Sequence, residues 1–254
     1  MKAILFLVLL LGFNEKLLAQ QPPSQKITFY IVRHGETLLN KLHRVQGWAD
    51  APLTANGTKV TKALAHGLKH IGFKAAYSSD LGRAKETAGY ILQLQNDTTL
   101  TLSETPALRE SCFGSYEGSE NKTMWTDAAL YLHYVSVEAL FADMQKPNRL
   151  PDVLAAIKEL DTLKIAEDFK DVATRMKNWI IKTANSSIEE GGNVLVVSHG
   201  IAINALLSVL TKDHFVHQPL ANASVTKVEY ENGKFTIRSV GDMKYVEAGL
   251  KAVE

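Results

Sequence analysis

Apolar and polar positions along the 254-residue chain switch between the period of a strand and that of a helix, and the order of the switches predicts an architecture. Ile27-Thr28-Phe29-Tyr30-Ile31-Val32 is dense in β-branched and aromatic residues and predicts a buried strand. From Thr54 to about His70 the spacing is helical, with Val60, Leu64 and Leu68 on one stripe, Thr54 as N-cap and Gly72 as stop. A second strand is predicted over Lys74–Ser79 and a helix from Leu81 to about Leu94, carrying Ala84, Ala88, Ile91 and Leu92. The polar stretch from Asn96 to Leu102 is read as a strand leading to Leu108-Arg109-Glu110. Residues near 123–161 hold aromatic-rich helical text broken around Lys146–Pro151, which predicts a helical insertion over the main sheet. A long helix follows from about Ala166 to Ala184. Asn193–Ser198 is the most continuous apolar strand, as expected of a parallel strand covered on both faces. An apolar helix to Leu210 comes next, and then a hairpin, Ser224–Tyr230 and Lys234–Val240, turned at Glu231-Asn232-Gly233. The alternation predicts a three-layer α/β/α sandwich with a mostly parallel central sheet, built by a single domain over residues 27–254 with that insertion.

The N-terminus departs from this pattern. Lys2 is followed by an unbroken apolar run from Ala3 to Phe13, and Leu17-Leu18-Ala19-Gln20 places a small residue at a cleavage point. A charged start, a short apolar core and a small residue at the cut describe a secretory signal peptide over residues 1–19. The run is too short to cross a bilayer, which takes about 20 apolar residues in a helix. Residues 20–26, with Pro22-Pro23, read as an extended leader. The expectation is an exported protein, periplasmic or secreted, with no membrane anchor after cleavage. Cys112 is the only cysteine, so no internal disulfide can staple the fold, and the hydrophobic core must hold it. With 28 basic and 27 acidic residues the chain lacks the basic excess that duplex nucleic acid demands, so no nucleic-acid partner is expected. Any anion site must be local.

Chemistry-bearing residues collect where an open α/β sheet places its ligands, beyond the carboxyl ends of the strands. His34 ends the first predicted strand and His199 the most apolar one, and each is followed by a glycine, Gly35 and Gly200. Arg33 sits beside His34, and Ser79-Asp80-Leu81-Gly82-Arg83 puts a second arginine in the first turn of a helix. Two arginines and two histidines at one sheet edge suit a dianion, because guanidinium forks grip phosphate oxygens and helix N-termini add amide donors. The other six histidines read as surface or core residues. No His-Glu-x-x-His, cysteine cluster or dense Asp/His run is present, so no metal and no other cofactor is expected. On this reasoning alone, either histidine could be the nucleophile, and Glu36, Glu110 and Glu117 are all open as the acid.

Arg33-His34-Gly35-Glu36-Thr37 resembles the signature of the histidine phosphatase superfamily in its phosphoglycerate mutase-like branch. Asn40, Gln46-Gly47-Trp48-Ala49-Asp50 and Pro52-Leu53-Thr54 are similar to the stretch that follows it. So are Ser78–Ala84 with Glu86-Thr87-Ala88, Leu108-Arg109-Glu110 with Phe113-Gly114 and Glu117-Gly118, and Val197-Ser198-His199-Gly200, all in the family's order. The resemblance runs over roughly residues 27–230 and omits the insertion. It implies that His34 attacks phosphorus and carries a phosphohistidine intermediate. It implies that Arg33, Arg83 and His199 hold the phosphoryl oxygens, with Asn40, Gly47 and Gly200 among the substrate-binding positions. Glu110 maps onto the proton donor.

Within the superfamily, acid phosphatases and phytases are marked by Arg-His-Gly-x-Arg-x-Pro and a late His-Asp; here Glu36 and Gly200 stand at the telling positions. Glycolytic mutases resemble Tyr-Gly-x-x-x-Gly-x-x-Lys after the acid. This chain has Phe113-Gly114 with Lys122 one place late and no adjacent arginine pair. The expected function is therefore an exported, metal-independent phosphomonoesterase acting on a small phosphorylated substrate. Phosphoglycerate mutase-type transfer and a non-catalytic phosphate-ligand-binding domain are the alternatives. Substrate identity is expected in the insertion, whose Trp125, Tyr131, Tyr134 and Phe141 fit either a leaving-group pocket or a helix core, and in the loop from His43 to Asp50.

Overall fold

The computed structural model describes residues 26–95, 97, 99–146, 149–186, 191–211 and 217–252. The expected signal peptide and all of the leader except Lys26 lie outside the described residues. In chain order the elements are β1 (Ile27–Arg33), α1 (Leu38–Lys41), α2 (Ala55–Leu68), β2 (Phe73–Ser79), α3 (Gly82–Leu92) and β3 (Leu102–Thr105). Then come α4 (Asn121–Tyr131), α5 (Val137–Met144), α6 (Leu150–Leu160), α7 (Phe169–Ser186), β4 (Gly192–Ser198) and α8 (Gly200–Leu210). The chain continues with β5 (Val225–Glu231), β6 (Lys234–Asp242) and α9 (Lys244–Lys251).

Six strands form one sheet in the order β3-β2-β4-β1-β5-β6. β1, β2, β3 and β4 pair in parallel, while β5 runs antiparallel to β1 and β6 to β5. This is the expected α/β/α sandwich. Successive side chains of a strand point to opposite faces, so each central strand feeds two cores. Phe29, Ile31, Val194 and Val196 pack under α7 and α8 with Val172, Met176, Ile180 and Leu206. Tyr30, Val32, Leu195 and Val197 pack on the other face against Leu64, Leu68, Ala84 and Ala88. The insertion is a third cluster, in which Met124, Leu140, Leu154 and Ile157 of α4–α6 close over Val45 and Phe113.

Three elements differ from the sequence reading. The strand expected over Asn96–Leu102 forms later, at Leu102–Thr105, where it pairs with Ala76–Ser79. Upstream of it the Asp97 carboxylate accepts from the amide and hydroxyl of Thr99, a local turn bond that competes with a ladder. The long helix starts at Phe169 rather than Ala166. Residues before it wrap the buried Asp161, whose carboxylate accepts amides from Ser115, Leu163, Ile165 and Ala166. Asp168 then opens α7 in a reciprocal cap with Asp171.

The third difference is α9, which follows the hairpin and packs on α2. A Cβ on Gly67 would overlap the Tyr245 carbonyl oxygen, and one on Gly249 the Ala63 carbonyl oxygen. The two helices thus meet backbone to backbone, through contacts that hydrophobic periodicity does not reveal. Gly249→Ala should destabilise the fold by about 2–3 kcal/mol, since neither backbone can yield. Urea unfolding of the variant checks this; an unchanged midpoint would mean that α9 does not pack as described.

Candidate active site

The register of β1 and β4 builds the site. Arg33 lies opposite Ser198, so the next residues, His34 and His199, leave the sheet side by side. The amide of His34 donates to Ser198 O at 3.0 Å, and the two rings lie 5.1 Å apart at 56°. Both are buried, at 3% and 0% exposure. Ring atom Nδ1 of His34 lies 2.8 Å from the carbonyl oxygen of Gly35. A carbonyl can only accept, so Nδ1 carries the proton and Nε2 keeps its lone pair. Burial, then Arg83 and Arg33, push the His34 pKa well below its ordinary value. Burial, then Arg83 and His34, do the same for His199. Both imidazoles are neutral at neutral pH.

Arg83, on the first turn of α3, is 1% exposed. Its Nη1 donates to Ala49 O and Asp50 Oδ1, both at 3.0 Å, and its Nη2 to Gly47 O at 2.7 Å. Three of its five N–H donors are thereby used, and Nε is among those without a protein partner. Arg33 is anchored through Nη1 to Leu220 O and likewise has an unpartnered Nε. Desolvation lowers the pKa of both guanidiniums. Gln46 Nε2 and both ring nitrogens of His199 are also buried without partners. Buried polar atoms are normally satisfied, and orphaned ones mark functional ground. Here the orphans are mostly donors, gathered beside two strand ends, and they suit the oxygens of a tetrahedral dianion.

Glu110 is 7% exposed. Its Oε1 accepts the amides of Ser111 and Ala202 at 3.0 and 2.8 Å, and its Oε2 that of Ile201 at 3.0 Å. The carboxylate therefore rests on the first turn of α8, where unpaired amides favour a negative charge. A Cβ on Gly200 would lie 3.5 Å from Arg33 Nε and 3.8 Å from Glu110 Oε2, so this glycine stands between cation and acid. The oxygen of Asn40 accepts from Thr37 N and Asn222 Nδ2 at 3.2 and 3.3 Å, leaving its amino end as a donor beside the cleft.

The expected site residues thus converge, but Gly47 does so differently from the rest. Its amide donates to Glu117 and its carbonyl accepts from Arg83, so its visible work is to seat that arginine. Glu36 accepts from the Thr54 hydroxyl. Glu117 accepts four amides, those of Gly47, Trp48, Ala49 and Phe113, and clamps the 47–49 loop. Trp48 donates from its indole to Glu110 O at 3.1 Å and carries the Arg109 guanidinium 4.7 Å over its ring.

Two supporting residues carried no signal in the sequence. Arg175 of α7 donates to the carbonyls of Ala107, Arg109 and Glu110 and pairs with Glu167 at 2.8 Å. Glu167 in turn accepts the amide of Cys112. The pair braces the segment that presents Glu110 from a distance of more than fifty residues, beyond any local pattern. Among the described residues, no three potential metal-ligating side chains converge.

Fold and site together define an α/β protein of phosphoryl transfer. The chain belongs to the histidine phosphatase superfamily (branch 1), whose profile matches residues 29–243. It is 31% identical over 225 residues to a probable phosphoglycerate mutase GpmB of Proteus mirabilis, covering 85% of this chain and 94% of that one. The crystal structure of a phosphoglycerate mutase from Bacillus anthracis str. Sterne matches with a TM-score of 0.83 and 41% identity, over 89% of this chain and 98% of that one. A mycobacterial glucosyl-3-phosphoglycerate phosphatase shares the fold, with a TM-score of 0.66 and 24% identity, over 86% of this chain and 99% of that one. The proteins similar to this chain are thus named both as mutases and as a phosphatase.

The buried neutral imidazoles make stability depend on pH. In the unfolded chain His34 and His199 bind a proton near pH 6.5, whereas in the fold their pKa lies well below that. As pH falls beneath 6.5 the unfolded state takes up more protons, so stability is full above that value and lost below it. Each imidazole should add about 1.4 kcal/mol per pH unit to the slope between roughly pH 6 and 5, above most of the carboxylate range. His217, also lowered by burial, adds to it. Urea midpoints of wild type and His199→Gln across that window check this; equal slopes would mean that His199 is not held neutral.

Proposed function

We propose that this chain is an exported phosphomonoesterase that works without a metal, through a phosphohistidine on His34. The observation that carries the reading is the His34 ring itself. Its Nδ1 is tied to Gly35 O, its ring lies 5.1 Å from that of His199, and it feels the charges of Arg83 and Arg33, whose Nε atoms, like both His199 nitrogens, have no protein partner.

Nε2 of His34 attacks phosphorus as the bond to the ester oxygen breaks, and that oxygen takes a proton from Glu110, whose carboxylate is protonated as the phosphate dianion binds beside it. Arg33, Arg83 and His199 donate to the non-bridging oxygens, on which charge is concentrated through the transfer. Water then attacks the phosphohistidine. Glu110, now a carboxylate held by amides of α8, takes the water's proton, the P–N bond breaks, and His34 returns to its neutral form. Covalent catalysis of this kind splits one hard displacement into two easier ones. Asp50 and Glu117 position Arg83 and its loop, and Arg175 positions Glu110.

Mutase-type transfer is the second reading, favoured by the names of the Proteus and Bacillus relatives. It uses the same His34 and differs only in whether water or a second hydroxyl takes the phosphoryl group. The apolar text from Ala3 to Phe13 supports export, with Gln20 as the first residue of the mature protein.

The test is an assay of the exported protein, its N-terminus read by mass spectrometry, on phosphomonoesters and on 3-phosphoglycerate with a bisphosphoglycerate primer. Phosphate release should survive chelators and fall by at least about 10³-fold in His34→Ala. Glu110→Gln should slow alkyl esters by about 10²-fold or more and nitrophenyl phosphate far less, because a good leaving group needs no proton. Isomer exchange without net phosphate release would establish the mutase instead. Phosphate binding with no turnover would establish a binding domain, and an N-terminus that still carries residues 1–19 would refute export by cleavage.

A further inference from the structure

The same site continues outward as a cleft of about 500 Å³, bounded at its inner end by Arg33, Glu110 and Gly200. The wall beyond that end is apolar: Phe113, Met124, Trp125, Phe141, Met144 and Leu150 line it. Trp125 of α4 and Phe141 of α5 meet edge to face, with ring centres 5.4 Å apart at 73°. Phe141 stays 41% exposed, so its ring is not spent on the core of the insertion. By contrast Tyr134 is bonded to Asp143 at 2.6 Å, and Tyr131 is not among the lining residues. The wall includes two methionines, a residue type whose flexible thioether suits the edge of a ring.

The polar part of the lining is mostly neutral. Asn204 is closed on the backbone of Gly200 and Gln218, and Asn121 and Gln145 carry no charge. Among the described lining residues the basic side chains besides Arg33 are Arg44, which is exposed and bonded to Gly118 O, and His217. Burial lowers the pKa of His217, which disfavours its charged form. A carboxylate on the leaving group, lying against Met124 and Leu150 rather than at the exposed Arg44, would lose its water without gaining a paired cation, which is costly.

Resting on the phosphatase reading, we propose that the substrate is a phosphomonoester of an aromatic alcohol with no second charge, its ring received at the Trp125–Phe141 pair while the phosphoryl group sits at His34. This assigns Trp125 and Phe141 as specificity-determining residues. A single methylene group in a hydrophobic pocket already discriminates by roughly 10- to 200-fold.

The test compares esters of similar alcohols, so that the chemistry of the leaving oxygen is nearly constant. Benzyl phosphate should exceed glycerol 3-phosphate and 3-phosphoglycerate in kcat/KM by at least about tenfold, and cyclohexylmethyl phosphate should fall between. Calorimetry with the non-hydrolysable benzylphosphonate and methylphosphonate reads the cleft independently of turnover, and the benzyl compound should bind at least about tenfold tighter. Phe141→Ala and Trp125→Ala should each lower the benzyl-to-methyl ratio severalfold. Equal binding of the two phosphonates, a ratio unchanged in both variants, or 3-phosphoglycerate as the better substrate would overturn the proposal. A cyclohexylmethyl ester as good as the benzyl ester would overturn the aromatic class. If no ester is hydrolysed but benzylphosphonate is still preferred, the phosphatase reading fails while the ligand class stands.

Discussion

The parallel register of β1 against β4 is the constraint on which the rest of this molecule depends. Because Arg33 faces Ser198, the two residues that leave the sheet next are both histidines, and they leave at the same height. A shift of one residue in either strand would send one ring to the opposite face of the sheet, into an apolar core. The register is held by the strands' own side chains, since the alternating residues of β1 and β4 each fill one of two cores. One and the same register therefore places the imidazoles and buries the hydrophobic core.

Bringing two imidazoles and two guanidiniums into one buried corner is costly, and the surroundings offset that cost in two ways. The imidazoles are neutral, so they add no charge. The guanidiniums are held by oxygens: Arg83 by Asp50 and two carbonyls, and Arg33 by the Leu220 carbonyl with Glu110 nearby. Acids that carry no proposed part in the chemistry form a second ring behind these groups. Glu117 clamps the loop that seats Arg83, and Glu167 holds Arg175 against the segment carrying Glu110. On the proposed function, the donors that remain unpaired are the side of the corner that receives the phosphoryl group.

Much of this was legible from residue order. β1 and β4 are apolar enough to be read as buried strands, so the strand-end histidines and their glycines stood out, and Thr54 declared itself as the cap of α2. Distinguishing His34 from His199 required the resemblance, because two histidines at equivalent strand ends are equivalent to periodicity. In the structure the Gly35 carbonyl separates them, since it orients His34 and leaves both nitrogens of His199 free. Arg175, Glu167 and Asn222 were not legible, because their partners lie far along the chain and no spacing marks them. α9 was missed for a related reason: glycines at a helix crossing are silent in a hydrophobic pattern. The insertion's aromatic residues, ambiguous as sequence, divide in the structure, with Trp125 and Phe141 on the cleft and Tyr134 tied to Asp143.

In the proposed mechanism His34 acts through Nε2, from a neutral ring whose Nδ1 proton is fixed on the Gly35 carbonyl. Mixing the protein with a phosphoryl-labelled ester, stopping the reaction in alkali within one turnover and locating the label by mass spectrometry and phosphorus NMR tests it most directly. A phosphoramidate on His34, at Nε2, stable in alkali and lost in acid, is the expected result. Label on His199, label on Nδ1, or phosphate release with no labelled histidine at any time would contradict it.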